Sequence, residues 1–152
     1  MITFYDIHKN TVMTLSDFIF CDNETTYEKR KISFLLQFYY MNILYSVKVR
    51  DNYHHLTRFR DNLIKLYNSI PFPDSSHASD SDIFSNLPIL YFNFENGFIR
   101  IQFNERINIK LKHGKEFGEI LTIKYEVDYY TFFIDLISEI DKEMAFLKQN
   151  KQ

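Results

Sequence analysis

Apolar and polar residues alternate along the first half of this 152-residue chain, a pattern typical of β-strands. The stretches ITFYDI and VMTLSDFIF predict two strands, with Lys9 and Asn10 as turn residues between them. The polar segment that follows, CDNETTYEKRK, predicts a loop. The first thirty residues therefore predict a strand pair followed by an irregular connection.

Residues 31–50 include a long apolar run, FLLQFYYMNILYSVKVR. A membrane-spanning helix needs about 20 predominantly apolar residues. This run is shorter, ends in charged residues and contains the polar side chains of Gln37, Asn42 and Ser46. Its period-two alternation instead predicts a β-strand.

The two sets of alternate positions in residues 31–50 differ in character. The odd-numbered positions are apolar almost throughout, whereas the even-numbered ones are apolar up to Tyr40 and mostly polar beyond it. The pattern predicts one long central strand, buried on both faces at 34–40 and on one face at 43–49. A β-bulge near residues 40–42 is an alternative explanation of the change.

An amphipathic helix is predicted next, within RDNYHHLTRFRDNLIKLYNSI. Its apolar residues recur at spacings of three and four: Leu56, Phe59, Leu63, Leu66, Tyr67 and Ile70. Asp51 or Asn52 is the predicted N-cap, and Pro71 ends the helix. Residues 71–87, rich in Ser, Asp and Pro, predict an exposed loop, and a loop of this length is often functional or disordered.

The second half of the chain predicts a strand meander closed by a helix. Asn96 and Gly97, between PILYFNFE and FIRIQFNE, suit the positive φ angles of a type I′ hairpin turn. RINIKLKH and EILTIKYEVD alternate as two further strands, each with one dry and one wet face. A helical apolar stripe follows in DYYTFFIDLISEIDKEMAFLKQ, with Asp128 as the predicted N-cap.

These elements predict an α+β fold in which helices pack on an antiparallel sheet. The predicted order is βββ-α-ββββ-α, with about six to seven strands, mainly in one antiparallel sheet, and two long amphipathic helices. The length suits one domain, residues 1–152. Residues 149–152 are predicted to form a frayed tail.

Composition and charge restrict the functional classes. The net charge is −2 and the pI about 6.2, whereas proteins that bind nucleic acid through its phosphates are usually basic, at least locally. Cys21 is the single cysteine and cannot form an internal disulfide; without a signal-peptide pattern, we expect a cytoplasmic protein. Aromatic residues make up 18%, which reflects either AT-rich codons or an aromatic interaction surface.

Few residue patterns in the sequence suggest catalysis or metal binding. His54 and His55 are consecutive, so on a helix they point about 100° apart and are poorly placed to share one metal ion. A lone cysteine after an apolar strand is interpreted as a half-buried residue rather than a nucleophile. The sequence contains no HExxH, CxxC, GxSxG or phosphate-loop motif. We therefore expect no enzyme, no metal ion and no cofactor.

Two binding functions are open alternatives. Basic residues fall on the first predicted helix and on outward positions of the late strands: Arg50, Arg58, Arg60, Lys65, Arg100, Lys110, Lys112 and Lys124. Together with sheet aromatics they could bind single-stranded nucleic acid, although acidic residues are interspersed among them. An apolar cavity between the sheet and the helices would instead suit a small ligand.

Three stretches carry a resemblance to a known class of proteins: FRDNLIKLY in the first helix, NGFIRIQF in the hairpin and LTIKYEVDYYTFFIDLISEI in the closing strand and helix. Over residues 37–147 the chain is similar in plan to small cytoplasmic immunity proteins that accompany bacterial polymorphic toxins, including contact-dependent growth inhibition systems. The resemblance implies a non-enzymatic inhibitor that binds its cognate toxin domain and blocks the active site.

The predicted partner is therefore a cognate toxin domain, with a nuclease as the expected toxin activity. Inhibitors of nucleases can present carboxylates where phosphates would otherwise bind. The candidate contact residues are acidic residues of two loops and two residues of the first helix: Asp22, Glu24, Tyr53, Arg58, Asp74, Asp80 and Asp82. We expect no membrane partner, and the sequence does not determine the oligomeric state.

Overall fold

The structure, a computed structural model, describes residues 1–68, 90–95, 97–103 and 121–149; of residues 90, 91 and 93–95 it describes the backbone. Within these ranges the chain forms seven strands: β1 (Ile2–Tyr5), β2 (Thr11–Phe20), β3 (Lys31–Tyr40), β4 (Ile43–Asn52), β5 (Leu90–Glu95), β6 (Phe98–Phe103) and β7 (Thr122–Glu126). The helices are α1 (Tyr53–Asn68) and α2 (Tyr129–Gln149), and a short 3₁₀ turn spans Tyr27–Lys29.

The α+β class is confirmed, but the arrangement of the strands differs from the prediction. The described strands form two antiparallel sheets, one of four strands in the order β1-β2-β3-β4 and one of three in the order β5-β6-β7. The described order is ββββ-α-βββ-α instead of βββ-α-ββββ-α. The predicted strand RINIKLKH, the loop 71–87 with Pro71, and residues 150–152 of the predicted tail lie outside the described residues.

The prediction of one long strand over residues 31–50 is wrong, because the segment folds into a hairpin of β3 and β4. Met41 and Asn42 form the turn with φ angles of 49° and 63°, both positive as in a type I′ turn. Tyr40 pairs with Ile43 beside the turn. A two-residue turn pairs even-numbered residues of β3 with odd-numbered residues of β4. The change of polarity after Tyr40 therefore reflects a turn and not a bulge.

One face of the four-stranded sheet forms the core and the other is largely polar. The buried face carries Ile2, Phe4, Met13, Leu15, Ile32, Phe34, Leu36, Phe38, Tyr45 and Val49. On the other face one row crosses all four strands through Thr3, Thr14, Gln37 and Ser46. This alternation is the one expected of an antiparallel sheet covered on one side.

The helices and the second sheet pack against the buried face of the first. Both helices contribute apolar side chains: Leu56, Phe59, Leu63 and Leu66 from α1, and Phe132, Phe133, Leu136, Ile140 and Leu147 from α2. Phe92 of β5 stacks on Phe4 at 5.6 Å and on Phe59 at 5.2 Å between ring centroids. Phe103 of β6 packs on Phe38 at 4.7 Å. Both sheets and both helices therefore share one aromatic core.

The second hairpin and the start of α2 support each other. The carboxylate of Asp128 accepts a hydrogen bond from the Tyr130 backbone N–H at 3.1 Å, which confirms the predicted N-cap. Gly97 has φ of 82° and donates its N–H to the Tyr129 hydroxyl at 2.9 Å. That hydroxyl donates to the Phe98 carbonyl at 3.3 Å. Neither helix, over its described length, is long and apolar enough to cross a membrane.

Candidate functional site

The β3–β4 hairpin ends in an exposed apolar cluster. Tyr39, Met41, Ile43 and Leu44 are 62%, 79%, 46% and 48% exposed, and we call these four residues the hairpin tip. Tyr39 and Leu44 pair directly across the hairpin, and Met41 lies in the turn. Clustered exposed apolar side chains mark interaction sites, and Met and Tyr are enriched in protein interfaces. The hairpin tip therefore has the composition of a protein-binding surface.

Met41 occupies a position that is unfavourable for its residue type. Its φ of 49° lies in the left-handed region, which costs an L-residue other than Gly, Asn or Asp about 1–2 kcal/mol. Its side chain is exposed and so recovers little of this cost through packing. Backbone strain of this kind concentrates at functional sites. Folding alone thus gives no reason for a methionine at this turn.

A basic strip continues from the hairpin tip along β4, which is an edge strand of the four-stranded sheet. Leu44, Ser46, Lys48 and Arg50 occupy alternate positions and are all exposed, and we call these residues the β4 edge. Within the part of the chain that the structure describes, neither Lys48 nor Arg50 forms an ion pair. The β4 edge therefore carries two positive charges that no described carboxylate neutralises.

The opposite edge of this sheet, strand β1, is covered. The Thr3 N–H donates to the Glu139 carboxylate of α2 at 2.6 Å, and the Met1 ammonium contacts Glu143 on the same helix. Just beyond the strand, the Ile7 N–H donates to the Glu126 carbonyl at 2.9 Å. Burial raises the pKa of Glu139, although the Thr3 hydrogen bond and the terminal ammonium oppose the shift. The β1 edge of the sheet is therefore covered by α2, whereas no described residue covers the β4 edge in this way.

Tyr53, expected to be an exposed contact residue, lies inside the protein and is 1% exposed. It begins α1 directly after β4, and its ring packs against Phe20 and Tyr27 at 5.8 and 6.0 Å between centroids. The Lys148 ammonium lies 5.2 Å from the Tyr27 ring and 5.7 Å from the Tyr53 ring. The Arg30 guanidinium covers Phe20 and Tyr27 at 4.8 and 4.7 Å. The contacts of Lys148 with the Tyr27 and Tyr53 rings hold the end of α2 against this aromatic group. Tyr53 therefore has a structural role.

The predicted contacts Asp22 and Glu24 lie together in the connection between β2 and β3. Asp22 accepts backbone hydrogen bonds from Glu24 at 3.4 Å and Lys31 at 3.3 Å, and the Glu24 carbonyl accepts from the Arg30 side chain at 2.6 Å. The two residues therefore shape their own loop. Arg58 is exposed on α1. The remaining acidic candidates lie outside the described residues: Asp74, Asp80 and Asp82.

His55 pairs with a buried carboxylate where β4 meets α1. The Asp51 side chain is 3% exposed, and its Oδ1 lies 2.5 Å from His55 Nδ1 and accepts the Asn52 N–H at 2.7 Å. Burial raises the pKa of Asp51, while the hydrogen bonds from His55 and Asn52 oppose the rise. Its Oδ2 is buried without a hydrogen-bond partner among the described residues. Over the same residues, no cluster of His, Cys, Asp and Glu could hold a metal ion.

One small cavity and one open groove lie among the described residues. A cavity of about 150 Å³ between β1 and the start of α2 is lined by Thr3, Tyr5, Asp6, Ile7, Lys9, Asp128, Thr131, Phe132 and Asp135. Ligand pockets typically enclose about 300–1,000 Å³. An open groove lies between the two helices, beside Tyr67 of α1 and Ile134 of α2. Neither is an enclosed cavity of ligand size, so the β3–β4 hairpin is the candidate functional surface.

Comparison with known proteins finds no protein-family model that matches the chain, and no curated protein matches it. The candidate surface therefore rests on geometry, namely the hairpin tip and the adjoining β4 edge. Sequence reasoning missed both, because it assigned Tyr39 and Ile43 to the buried face of a continuous strand. The missed signal was the change of polarity between odd and even positions after Tyr40, which marks the turn.

Proposed function

We propose that this chain is an immunity-type protein, which binds a cognate bacterial toxin domain and blocks its active site without catalysing a reaction. The observation that carries the proposal is the hairpin tip, in which four apolar side chains are exposed around a strained turn. Exposed apolar clusters of this kind are typical of protein-binding surfaces. The similarity in plan to small immunity proteins supplies the class of partner.

The construction of the hairpin suits an inhibitor that enters a cleft. Strands β3 and β4 are ten residues each, and every residue of β3 pairs with one of β4. Below the tip, the Phe38 and Tyr45 rings stack at 5.4 Å, which anchors the hairpin to the core. A preorganised projection loses little conformational entropy on binding. A few apolar anchors at its end can then supply most of the binding free energy.

The proposal is tested with the protein encoded immediately upstream of this chain, expressed with and without it. We expect the upstream product to arrest growth, co-expression of this chain to restore growth, and the two purified proteins to elute as one complex. A housekeeping upstream product without affinity for this chain would contradict the proposal.

Two matched variants test whether the hairpin tip is the contact. Met41→Asp places a charge at the tip and should abolish protection and complex formation, because a charge buried in an apolar contact is strongly unfavourable. Ile19→Asp changes an exposed apolar residue of β2, 53% exposed, and should leave both intact. Equal effects of the two variants would place the contact elsewhere.

A further inference from the structure

The backbone of β4 offers a row of hydrogen-bonding groups that β3 does not use. In a hairpin with a two-residue turn, the pair flanking the turn is hydrogen-bonded and every second pair after it is as well. From the Tyr40–Ile43 pair, the bonded residues of β4 are Tyr45, Val47 and Val49. The intervening residues direct their N–H and C=O groups away from β3: Leu44, Ser46, Lys48 and Arg50.

Among the described residues, no strand other than β3 pairs with β4, so none covers this outward row. All four residues are exposed, and none of them has a described hydrogen bond that would close the edge. The Gln37 amide donates to the Ser46 hydroxyl at 3.0 Å, but that contact lies on the sheet face and leaves the Ser46 N–H available. An open strand edge is a template for a further strand. On the β1 edge, by contrast, the Glu139 carboxylate already occupies the Thr3 N–H.

We propose that an extended acidic segment of the partner pairs with the β4 edge as a fifth strand of the sheet. Lys48 and Arg50 are two residues apart, so carboxylates at alternate positions of an added strand would lie opposite both of them. An apolar residue would complement Leu44 across the new strand pair, and a polar residue would complement Ser46. In the antiparallel direction the partner sequence therefore reads acidic-x-acidic-x-polar-x-apolar. The inference rests on the proposed function for the source of this segment, a toxin domain.

A second copy of this chain fits the same edge less well. Two β4 edges would bring the Lys48 and Arg50 side chains of both copies into one strip of four positive charges. An acidic segment instead neutralises both charges at an edge that no described carboxylate neutralises. Charge complementarity therefore selects the acidic partner, and a dimer becomes an outcome that the experiment can detect.

The probe is a blocked peptide, TEVEVTTLT, which carries the derived pattern, with TKVKVTTLT as its charge-reversed control. Binding is followed by amide hydrogen exchange in the full chain. We expect added protection at the outward amides of Leu44, Ser46, Lys48 and Arg50, with little change at the amides already bonded to β3. Protection without this alternation, or no protection with TEVEVTTLT, would overturn strand addition.

Substitutions on β4 separate the backbone and charge contributions. Ser46→Pro removes one outward N–H at a position where an edge strand tolerates proline, and it should abolish peptide binding. Ser46→Ala loses the same hydroxyl but keeps the N–H, so it should bind normally. The affinity of the Lys48→Glu and Arg50→Glu double variant for TEVEVTTLT should fall about tenfold or more, and its affinity for TKVKVTTLT should rise, because charge complementarity governs partner choice. Unchanged preference in the double variant would refute the acidic pattern.

Two outcomes distinguish this inference from the proposed function. If the upstream toxin is neutralised but Ser46→Pro protects as well as Ser46→Ala, strand addition is wrong and the proposed function stands. If the peptide results hold but the upstream product is not a toxin, the proposed function is wrong and the β4 edge keeps its acidic ligand. A chain that is dimeric by light scattering, and monomeric as Ser46→Pro, would assign the edge to a second copy instead.

Discussion

Replacing Met41 by asparagine should stabilise the protein. The φ of 49° costs an ordinary L-residue about 1–2 kcal/mol, whereas Asn adopts the left-handed region readily. The Met41 side chain is 79% exposed, so the substitution removes little packing from the folded state. We expect Met41→Asn to raise the free energy of unfolding by about 1 kcal/mol, which for a chain of this size raises the melting temperature by about 2–4 °C. Urea and thermal unfolding measure both quantities.

If this chain binds a toxin domain as proposed, the same substitution should weaken that binding. Truncating an apolar anchor at the centre of an interface typically costs more than about 1 kcal/mol. We expect a loss of about 1.4 kcal/mol, or about tenfold in Kd, measured by calorimetric titration of the toxin domain with each variant. A substitution that increases stability and decreases affinity identifies a residue that is unfavourable for the fold and favourable for the partner.

Asn42→Gly is the control within the same turn. Asparagine and glycine both adopt positive φ readily, so this variant should leave stability nearly unchanged and the hairpin tip intact. Its affinity for the toxin domain should equal that of the unchanged protein. If Met41→Asn fails to raise the free energy of unfolding, the turn argument is refuted. If both variants weaken binding equally, the turn backbone and not the Met41 side chain makes the contact.

The remaining predictions concern four polar side chains: Tyr125, Tyr129, Asp51 and Glu139. The Tyr125 hydroxyl is buried without a hydrogen-bond partner among the described residues, so Tyr125→Phe should stabilise by about 1 kcal/mol in urea unfolding. Tyr129→Phe, which removes a hydroxyl bonded to the second hairpin, should instead destabilise by about 1 kcal/mol, and the reverse order would contradict the hydrogen-bond assignment. Because burial raises the pKa of Asp51 above 3.8 in the folded state, its contribution to stability is present below that value and is lost as pH rises through the folded-state pKa. The free energy of unfolding of the unchanged protein minus that of Asp51→Asn should therefore fall with rising pH above 3.8, and a constant difference would exclude the assigned shift. Glu139→Ala should destabilise by about 1–2 kcal/mol and increase light scattering, because the Thr3 N–H loses its carboxylate and the β1 edge opens. Glu139→Gln keeps an acceptor and should lose less; equal losses would mean that the hydrogen bond does not protect the edge.

The elements that carry their own local signals could be predicted from the sequence. Strands β5 and β6 flank an Asn-Gly pair, and Gly97 has the positive φ that this pair indicates. Helix α2 begins where Asp128 predicts, because the carboxylate satisfies a backbone N–H of the first turn. In β7, Thr122, Lys124 and Glu126 are exposed, as the alternation predicts. Each of these features depends on residues close together in the chain.

The β3–β4 hairpin could not be predicted in the same way, because its turn lacks a strong local signal. Met41 has no preference for positive φ, and Asn42 alone is weak evidence for a turn. The turn forms because ten residue pairs of the two strands, with Phe38 and Tyr45 among them, outweigh the backbone strain at Met41. Tertiary pairing therefore determines the local conformation, and the change of polarity after Tyr40 is compatible with either a bulge or a turn until that pairing is known.

The exposure of two tyrosines differs from the sequence-based prediction. Tyr39 falls on the face predicted to be buried but is 62% exposed, and Tyr53, predicted to be exposed, is 1% exposed. The Tyr39 error follows from the continuous strand, since a two-residue turn reverses which alternate positions face the core. The Tyr53 error has another cause, because Tyr53 lies three residues before Leu56 on the buried face of α1. Once the turn is placed, Tyr39 and Leu44 face outward together. A single turn thus decides both the fold of this segment and the position of the candidate surface.

The positive charges of Lys48 and Arg50 on the β4 edge affect both self-association and the choice of partner. Charged residues on an edge strand oppose pairing with identical chains, because like charges would face each other across the new strand pair. On β1 the Thr3 N–H is instead bonded to the Glu139 carboxylate, so it is not available to a partner strand. Lys48 and Arg50 leave the β4 backbone open and exclude only partners of the wrong charge. The same two side chains can therefore keep copies of this chain apart and admit an acidic strand, so reversing their charge should exchange the permitted partner instead of closing the edge.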